Sequence, residues 1–361
     1  MPHYAHSWRA RVICFAALMS TPCVGFAQSS TIYTPGYSKD AKSVPSNVKL
    51  VPIGDLAEAS MEKCQLTYPG ATPFHLIANL VESTNRNSSY HAEIVEDWIS
   101  PSKWRREIHS PGFSQQIVVN GNATFERDDG DYYPYWLKNF IVALFNPLPM
   151  LDQLKQLDRR VADPRVKDDL NTCLDLHFNI GRAIFCFEGR EPRLESVFTP
   201  DYFAEFKDYK KFGRKMIARQ IVDDPEPGTT LTATIKELGE LSRTDESLYA
   251  IDHPTPPEEQ INSVRVDESE LRALALDSTE IHWPTVGKNP TTGRCGLIIS
   301  VDRTGRTREV WPGGCDNSDL EDELRKQVSK WRFKPAVSNG IPVQVESFLT
   351  FTFNTQLAPA K

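Results

Sequence analysis

The sequence lacks the residue patterns that mark most enzyme active sites. Its 361 residues contain no Gly-x-Ser-x-Gly, no His-Glu-x-x-His, no Gly-x-x-x-x-Gly-Lys, no Gly-x-Gly-x-x-Gly and no Cys-x-x-Cys. The 8 histidines are scattered along the chain. We therefore expect a protein without catalytic activity, cofactor or metal.

An excess of positive charge is also missing. The 41 Lys and Arg residues are outnumbered by 48 Asp and Glu residues, for a net charge of -7. Nucleic-acid-binding domains carry a basic surface, so we expect no nucleic-acid partner. Long hydrophobic runs are absent too: beyond the N-terminal region, the longest extends only from Phe140 to Phe145.

The N-terminal residues 1–27 have the pattern of an export signal. Arg9 and Arg11 precede a short apolar core at 12–19, and Pro22 and small residues follow up to Ala27. This pattern predicts cleavage and an exported mature chain that starts with a flexible lead-in at 28–49. An uncleaved inner-membrane anchor is the alternative, although the apolar stretch is shorter than the roughly 20 residues that span a bilayer.

Residues 50–250 are predicted to form a curved antiparallel sheet, a half-barrel, with inserted helices. A first helix is expected near Asp55, and its apolar face is expected to continue past the Tyr68-Pro69-Gly70 turn to Phe74, Leu76, Ile77 and Leu80. From Tyr90 onward the period changes to two, which predicts strands, and Asn120-Gly121 is a hairpin signal. The apolar spacing at 134–160 predicts a helical interlude before further strands at 173–238. The fold class is therefore α+β.

The remainder of the chain reads as a linker and a small second domain. Residues 251–280 are acidic and contain a Pro-rich stretch, which predicts a linker. Residues 281–355 predict β-β-α-β, with strands at 294–302 and 307–311, a helix after the capping box at Ser318, and a last strand from Pro342.

Five cysteines remain after the export signal. Cys173 and Cys186 lie on successive predicted strands, and Cys295 and Cys315 lie at the two ends of a predicted hairpin. Disulfides persist in an exported protein, so we expect these two pairs to be cross-linked and Cys64 to remain a thiol.

Other polar groups predict no site of their own. His91 and Glu93 read as a strand pair, and Asp128, Asp129 and Asp131 read as a solvated hairpin tip rather than a cation-binding turn. Asn87 begins a glycosylation acceptor sequence. The many aromatic residues between Trp98 and Phe140 fit either an apolar ligand cavity or an ordinary core.

The last domain resembles the C-terminal domain of TonB-family proteins. The matching residues cover about 281–355 and comprise Trp283-Pro284, Gly305, Trp331-Arg332-Phe333-Lys334-Pro335-Ala336 and Gly340-Ile341-Pro342-Val343. Members of that family bind a partner by adding a strand to an exposed sheet edge. The resemblance implies a partner-binding edge formed by Val343, Gln344, Val345, Glu346, Ser347, Phe348 and Leu349. Coverage of this edge by self-dimerisation or by the first domain is the alternative.

A second, weaker resemblance links residues 50–250 to the LolA-like periplasmic lipoprotein carriers. It rests on Trp98, Ser100-Pro101-Ser102-Lys103-Trp104-Arg105, Gly112-Phe113 and Asn120-Gly121-Asn122. In those relatives the strands wrap around helices and hold acyl chains, which implies a lipid or acyl ligand in this domain.

Two functions are therefore expected. The first is a non-enzymatic periplasmic envelope protein whose TonB-like domain docks an outer-membrane transport or other envelope protein. The alternative is a lipid or lipoprotein carrier whose last domain serves to form a homodimer.

Overall fold

The computed structural model describes residues 53–68, 70–84, 90–148, 162–168, 171–178, 181–188, 193–199, 202–226, 229–252, 255–256, 259–276, 280–284 and 292–355. The predicted export signal, the lead-in, the glycosylation acceptor and the 149–160 part of the predicted helical interlude lie outside these residues. Among the residues described, no helix combines the length and the apolar character needed to cross a membrane.

Twelve antiparallel strands of the described chain form one open sheet, which confirms the predicted large antiparallel sheet. The strands are β1 (Phe74–Thr84), β2 (His91–Ser100), β3 (Lys103–Ser110), β4 (Phe113–Asn120), β5 (Ala123–Gly130), β6 (Ala162–Asp168), β7 (Asn171–Phe178), β8 (Gly181–Glu188), β9 (Arg193–Phe198), β10 (Phe203–Phe212), β11 (Lys215–Glu226) and β12 (Thr229–Glu240). Their order is β5-β4-β3-β2-β1-β12-β11-β10-β9-β8-β7-β6, so β5 and β6 form the edges.

Strand β1 corrects the prediction of a helical face at Phe74, Leu76, Ile77 and Leu80. It joins the two halves of the sheet by pairing with β2 on one side and with β12 on the other. Phe74, Leu76 and Leu80 are buried at alternate positions, which is the period of a strand. Ile77 falls on the opposite phase, and a register irregularity between Ile77 and Ala78 interrupts the pairing with β12.

Two helices pack against the first sheet. Helix α1 (Ile53–Cys64) and helix α2 (Tyr135–Phe145) share one continuous core with the sheet. Helix α2 is apolar almost all round, with Trp136, Leu137, Phe140 and Leu144 buried, as expected for a helix enclosed by other elements.

A second, smaller sheet follows. It contains β13 (Ser263–Arg265), β14 (Thr292–Val301), β15 (Thr307–Cys315), β16 (Ala336–Ser338) and β17 (Ile341–Asn354), with the helices α3 (Glu268–Ala273) and α4 (Ser318–Val328). The strand order is β13-β17-β14-β15, and β16 pairs with β17. The predicted β-β-α-β order is confirmed in β14, β15, α4 and β17. The segment predicted as a linker supplies both β13 and α3.

Helix α4 covers one face of the second sheet, and the first sheet domain covers part of the other. Leu320, Leu324 and Val328 of α4 are fully buried in the core of the second sheet. Ile298 and Trp311 point to the opposite face and belong to the core of the first sheet. The two sheets therefore share apolar packing.

Both predicted disulfides are present. Cys173 and Cys186 lie directly opposite each other on β7 and β8, with their Cα atoms 4.0 Å apart. Cys295 and Cys315 lie opposite each other on β14 and β15, with their Cα atoms 3.9 Å apart. Each bond cross-links one antiparallel hairpin, and Cys64 remains a thiol.

The prediction of a solvated hairpin tip is wrong for Asp128. This residue lies on edge strand β5, where its Oδ1 accepts a hydrogen bond from Gln115 Nε2 at 2.8 Å. Its Oδ2 accepts one from the backbone N–H of Ile261 at 2.7 Å. Thr255 Oγ1 accepts a hydrogen bond from the backbone N–H of Glu126 at 2.6 Å. Thr255 and Ile261 are therefore held against β5.

Candidate functional site

One concave site in the described part of the chain is an apolar cleft between α1, α2 and strands β9 to β12. Its empty space, including the part open to solvent, is about 420 Å³. The apolar side chains of its wall are Leu66, Ala143, Leu144, Pro147, Leu148, Leu194, Phe206, Ile217, Ala218, Ile221 and Ile235. Among the described residues that line this cleft, none carries a charged side chain.

The helical parts of the wall follow from residue spacing. On α1, Ser60 and Met61 follow Ala57 by three and four positions, so all three buried residues lie on one face of the helix. This face lies against the sheet. On α2, Ala143 and Leu144 face the cleft, while Val142 between the buried positions is exposed. Small residues at 57, 60 and 143 allow the helices to approach the strands closely.

Polar contacts tie the end of α1 to the end of α2. Gln65 Nε2 donates to Asn146 Oδ1 at 2.9 Å, and Thr67 Oγ1 donates to the carbonyl of Phe145 at 2.8 Å. Lys215 Nζ donates to the carbonyl of Gln65 at 2.6 Å. Burial lowers the pKa of Lys215. These bonds hold α1 closed over the cleft.

Three polar side chains line the cleft at the α1 side. Ser60 and Gln65 are buried, and within the described protein neither Ser60 Oγ nor Gln65 Oε1 has a hydrogen-bond partner. Burial raises the pKa of the Cys64 thiol to about 11. A thiol with this pKa is protonated at neutral pH and is a poor nucleophile. The arrangement favours binding over covalent chemistry.

A smaller cleft lies on the other side of Ala143. It has an empty space of about 150 Å³ and is lined by α2, the start of β10 and Asp223 of β11. Asp223 is buried, and burial raises the pKa of its carboxyl to about 8, helped by neighbouring Asp224. This side chain is therefore mainly neutral at pH 7. Helix α2 forms a wall of both clefts.

The motif residues of the last domain have structural positions. Trp331 and Phe333 are buried in the core of the second sheet, and the ring of Trp283 packs on that of Phe353. Gly305 has a φ of +81°, and a Cβ there would overlap the carbonyl oxygen of Phe333.

The other motif residues lie around the same turns. Pro284 follows Trp283, and Pro335 follows the end of α4 before β16. Gly340 has a φ of +82° and turns the chain from β16 into β17, where Pro342 pairs with Val337. The backbone of Arg332 forms an isolated antiparallel β-bridge with the backbone of Arg306.

The strand predicted as a free edge is paired on both sides at Val345 and Glu346. Val345 pairs with Val301 of β14 and also with Val264 of β13, and Gln344 and Glu346 pair with β13 in the same way. Val343 pairs with Ala336 of β16. The expectation of an exposed edge is therefore wrong for Gln344 to Glu346, because the former linker segment pairs with the strand there.

The second half of β17 has a different environment. Ser347 and Leu349 are buried, whereas Phe348 is exposed and its ring lies against Gly296 and Gly313. Beside it, the backbone N–H of Thr350 donates to Glu268 at 3.1 Å, and the Thr350 carbonyl accepts from Arg272 at 3.2 Å. Side chains of α3 thus satisfy the edge backbone at this point. Whether Val343 to Leu349 binds a partner stays a prediction.

The described residues contain no group of three or more His, Cys, Asp or Glu side chains arranged to hold a metal ion. His75 Nδ1 lies 2.6 Å from Asp97 Oδ1 on the neighbouring strand. His91 pairs with Val81 on β1, and Glu93 pairs with Asn79. The absence of enzymatic activity remains an expectation.

No family model matches the chain, and no curated protein matches it. Among solved structures, it is similar to an outer membrane lipoprotein-sorting protein domain from Vibrio parahaemolyticus, with 10% identity, a TM-score of 0.34 and coverage of 54% of this chain and 95% of that one. A LolA superfamily protein from Nitrosomonas europaea has 10% identity and a TM-score of 0.35, with coverage of 56% and 99%. A DUF1329 family protein from Desulfovibrio piger has 9% identity and a TM-score of 0.34, with coverage of 56% and 98%. At this level, the similarity assigns neither ligand nor partner to this chain.

The sequence missed the residues that form the cleft. No motif marks Ser60, Cys64 or Ala143, because an apolar cleft is made by shape and not by spacing. The available signal was the run of small residues on the face of α1.

Proposed function

We propose that the chain binds the acyl part of a lipid in the cleft beneath α1 and acts as a non-enzymatic lipid or lipoprotein carrier in the periplasm. The observation that carries this proposal is the cleft wall, whose described residues are mostly aliphatic, with the rings of Phe206 and Tyr209 among them, and include no charged side chain. Such a wall favours a hydrocarbon chain over a charged or strongly polar ligand.

Binding requires α1 to move. In the closed cleft, the space that admits a water molecule is about 30 Å³. This is enough for about two water molecules and too small for an acyl chain. The ligand therefore enters only when one wall opens.

Helix α1 is the wall that opens most easily. In the part of α1 whose side chains the structure describes, residues 57–64, the buried apolar residues are Ala57 and Met61, with Leu66 just beyond the end of the helix. Burying a Met or Leu side chain contributes about 1.5–3 kcal/mol, so the apolar contacts of this segment amount to roughly 5 kcal/mol. The strands below are held by continuous pairing on both sides. A ligand that replaces the contacts of α1 would offset most of this cost.

The test is acyl-lipid binding by the complete exported chain. Native mass spectrometry before and after solvent extraction is expected to show loss of a lipid-sized mass, and a fluorescent fatty acid is expected to bind the extracted protein. Ala143→Leu fills the cleft from α2 and is expected to weaken probe binding at least about tenfold, since it places a side chain where the ligand lies. Val142→Leu, on the exposed side of the same helix, is the matched control. The proposal fails if no lipid co-purifies and no probe binds, or if both variants bind equally well.

Docking of an envelope protein by strand addition has less support. Half of the strand assigned to it is already paired with β13 and β16. A partner strand at Val343 to Glu346 would first have to displace the segment 263–265.

A further inference from the structure

The second sheet contacts the first around the beginning of α2. Three of its side chains, Glu309 of β15 and Gln344 and Glu346 of β17, are almost fully buried there. All three bond to the short segment 132–138. These hydrogen bonds therefore all reach the first turn of α2 or the residues just before it.

Glu309 takes the place of a missing helix cap. The residue before α2 is Pro134, which makes no side-chain capping bond. Instead, Glu309 Oε1 accepts hydrogen bonds from the backbone N–H of Tyr135 at 2.9 Å and from Tyr132 Oη at 2.6 Å. Glu309 Oε2 accepts from Trp311 Nε1 at 2.5 Å. A carboxylate at a helix N-terminus accepts from a backbone N–H that has no partner within the helix and has the favourable sign for the helix dipole. The same N–H of Tyr135 also donates to Tyr132 Oη at 3.2 Å.

The two residues of β17 hold the same segment from the side. Gln344 Oε1 accepts from the backbone N–H of Tyr133, and Gln344 Nε2 donates to the carbonyl of Tyr133, both at 2.9 Å. Glu346 Oε1 accepts from Lys138 Nζ at 3.0 Å and from Ser263 Oγ at 2.6 Å. The start of α2 is therefore fixed in position by polar bonds from outside its own sheet.

We propose that Glu309 is a positioning residue that caps α2 from the second sheet, so that the helix forming a wall of both clefts keeps its place only while the two sheets are docked. The second sheet then has an internal partner, and its docking is coupled to the shape of the clefts. This inference concerns the helix itself and holds whether or not the cleft binds lipid.

The coupling is tested by hydrogen–deuterium exchange on the full chain with both disulfides intact. In Glu309→Gln, the new amide cannot accept from α2 and from Trp311 at once, because one end carries N–H donors. Amides of Tyr135 to Phe140 are expected to exchange at least about tenfold faster, as loss of a bond to a charged cap predicts. Amides of α4 and β14 are expected to keep their rates. Glu323→Gln, on α4 at the opposite face of the second sheet, is the control.

A rescue separates capping from general stability. Trp311→Phe removes the donor that competes for the new amide oxygen. In a protein that already carries Trp311→Phe, Glu309→Gln is therefore expected to speed exchange in α2 much less than it does when Trp311 is present. Tyr132→Phe keeps the cap and is expected to raise exchange by about threefold at most, which gives a second folded variant. The proposal is overturned if Glu309→Gln leaves α2 like the control, if exchange rises equally in both sheets, or if Trp311→Phe gives no rescue.

Discussion

The stability of this protein is expected to fall as the pH rises from about 4.5 to about 7 because of Glu126 on edge strand β5. Burial raises the pKa of its carboxyl from 4.5 to about 7, and neighbouring Asp128 adds to the rise. Gln115 Nε2 donates to Glu126 Oε1 at 3.1 Å. Asp128 faces Gln115 and the backbone of Ile261, with Arg303 close enough to lower its pKa, although burial raises it overall. For Glu126, burial and Asp128 both raise the pKa of the carboxyl, and no cation among the described residues is recorded as lowering it.

The sign follows from the two pKa values. The folded protein keeps a proton on Glu126 at pH values where the unfolded chain has released it, so the free energy of unfolding decreases as the pH rises from about 4.5 to about 7. A shift of this size corresponds to about 3 kcal/mol, and partial solvent exposure of the side chain reduces this figure. The contribution is fully present below the unfolded pKa and is lost above the folded one.

Glu126→Gln removes the titration and keeps the acceptor for Gln115. The variant is expected to match the parent at pH 4.5 and to exceed it by roughly 1–3 kcal/mol at pH 8. Urea denaturation followed by tryptophan fluorescence at several pH values measures the difference. Asp129→Asn, at an exposed residue of the same strand, is the control. An equal effect of Glu126→Gln at pH 4.5 and pH 8 would refute the reasoning.

Three further predictions use the same structure. Asp223→Asn is expected to stabilise the protein at pH 8 and to have little effect near pH 4, since the folded pKa of about 8 lies above the unfolded value of 3.8; denaturation at the two pH values measures this. Cys64 hydrogen-bonds to the backbone of Leu194, so Leu194→Cys places a second thiol beside it. Oxidation of the two thiols to a disulfide is expected to lock α1 and abolish binding of a fluorescent fatty acid. Reduction is expected to restore binding, and oxidation is expected to have no effect once Cys64 is replaced by Ser. Gly305→Ala is expected to lower the free energy of unfolding by at least about 2 kcal/mol, because its positive φ and its neighbouring carbonyl both oppose a Cβ. Gly121→Ala, with a φ of +64° and open space around it, is expected to cost less in the same thermal unfolding assay.

Much of the local structure could be predicted from the sequence. Alternating apolar residues located the strands from β2 to β5 and from β7 to β12, and Asn120-Gly121 marked a real hairpin. The cysteine pairs followed from their places on neighbouring strands. These features depend on short-range spacing, which the sequence shows directly.

The errors concern long-range contacts. Strand β1 pairs with β12, and Leu80 lies opposite Ala233, about 150 residues away. No local pattern indicates such a partner, and Leu76 and Ile77 side by side fit a helix as well as a strand. Asp128 was misjudged for the same reason, because its partner Ile261 is 133 residues away.

From the sequence, an apolar cavity was only one of two alternatives, the other being an ordinary core. The residues that define it come from α1, α2 and four strands, and most are ordinary core types. The capping role of Glu309 could not be predicted from the sequence either. It arises because Pro134, in the other domain, provides no capping side chain for α2, and because the fold brings Glu309 to that helix end.

The position of β17 changes what the second sheet can do. In a separate docking domain, the outer face of the last strand would be polar and solvated. Here Gln344 and Glu346 point from that strand into the first domain and are nearly fully buried with their partners satisfied. Separating the sheets would leave these groups and Glu309 without partners until water replaced them, and would expose Ile298 and Trp311. Partner binding by the first half of β17 therefore competes with the contacts that position α2.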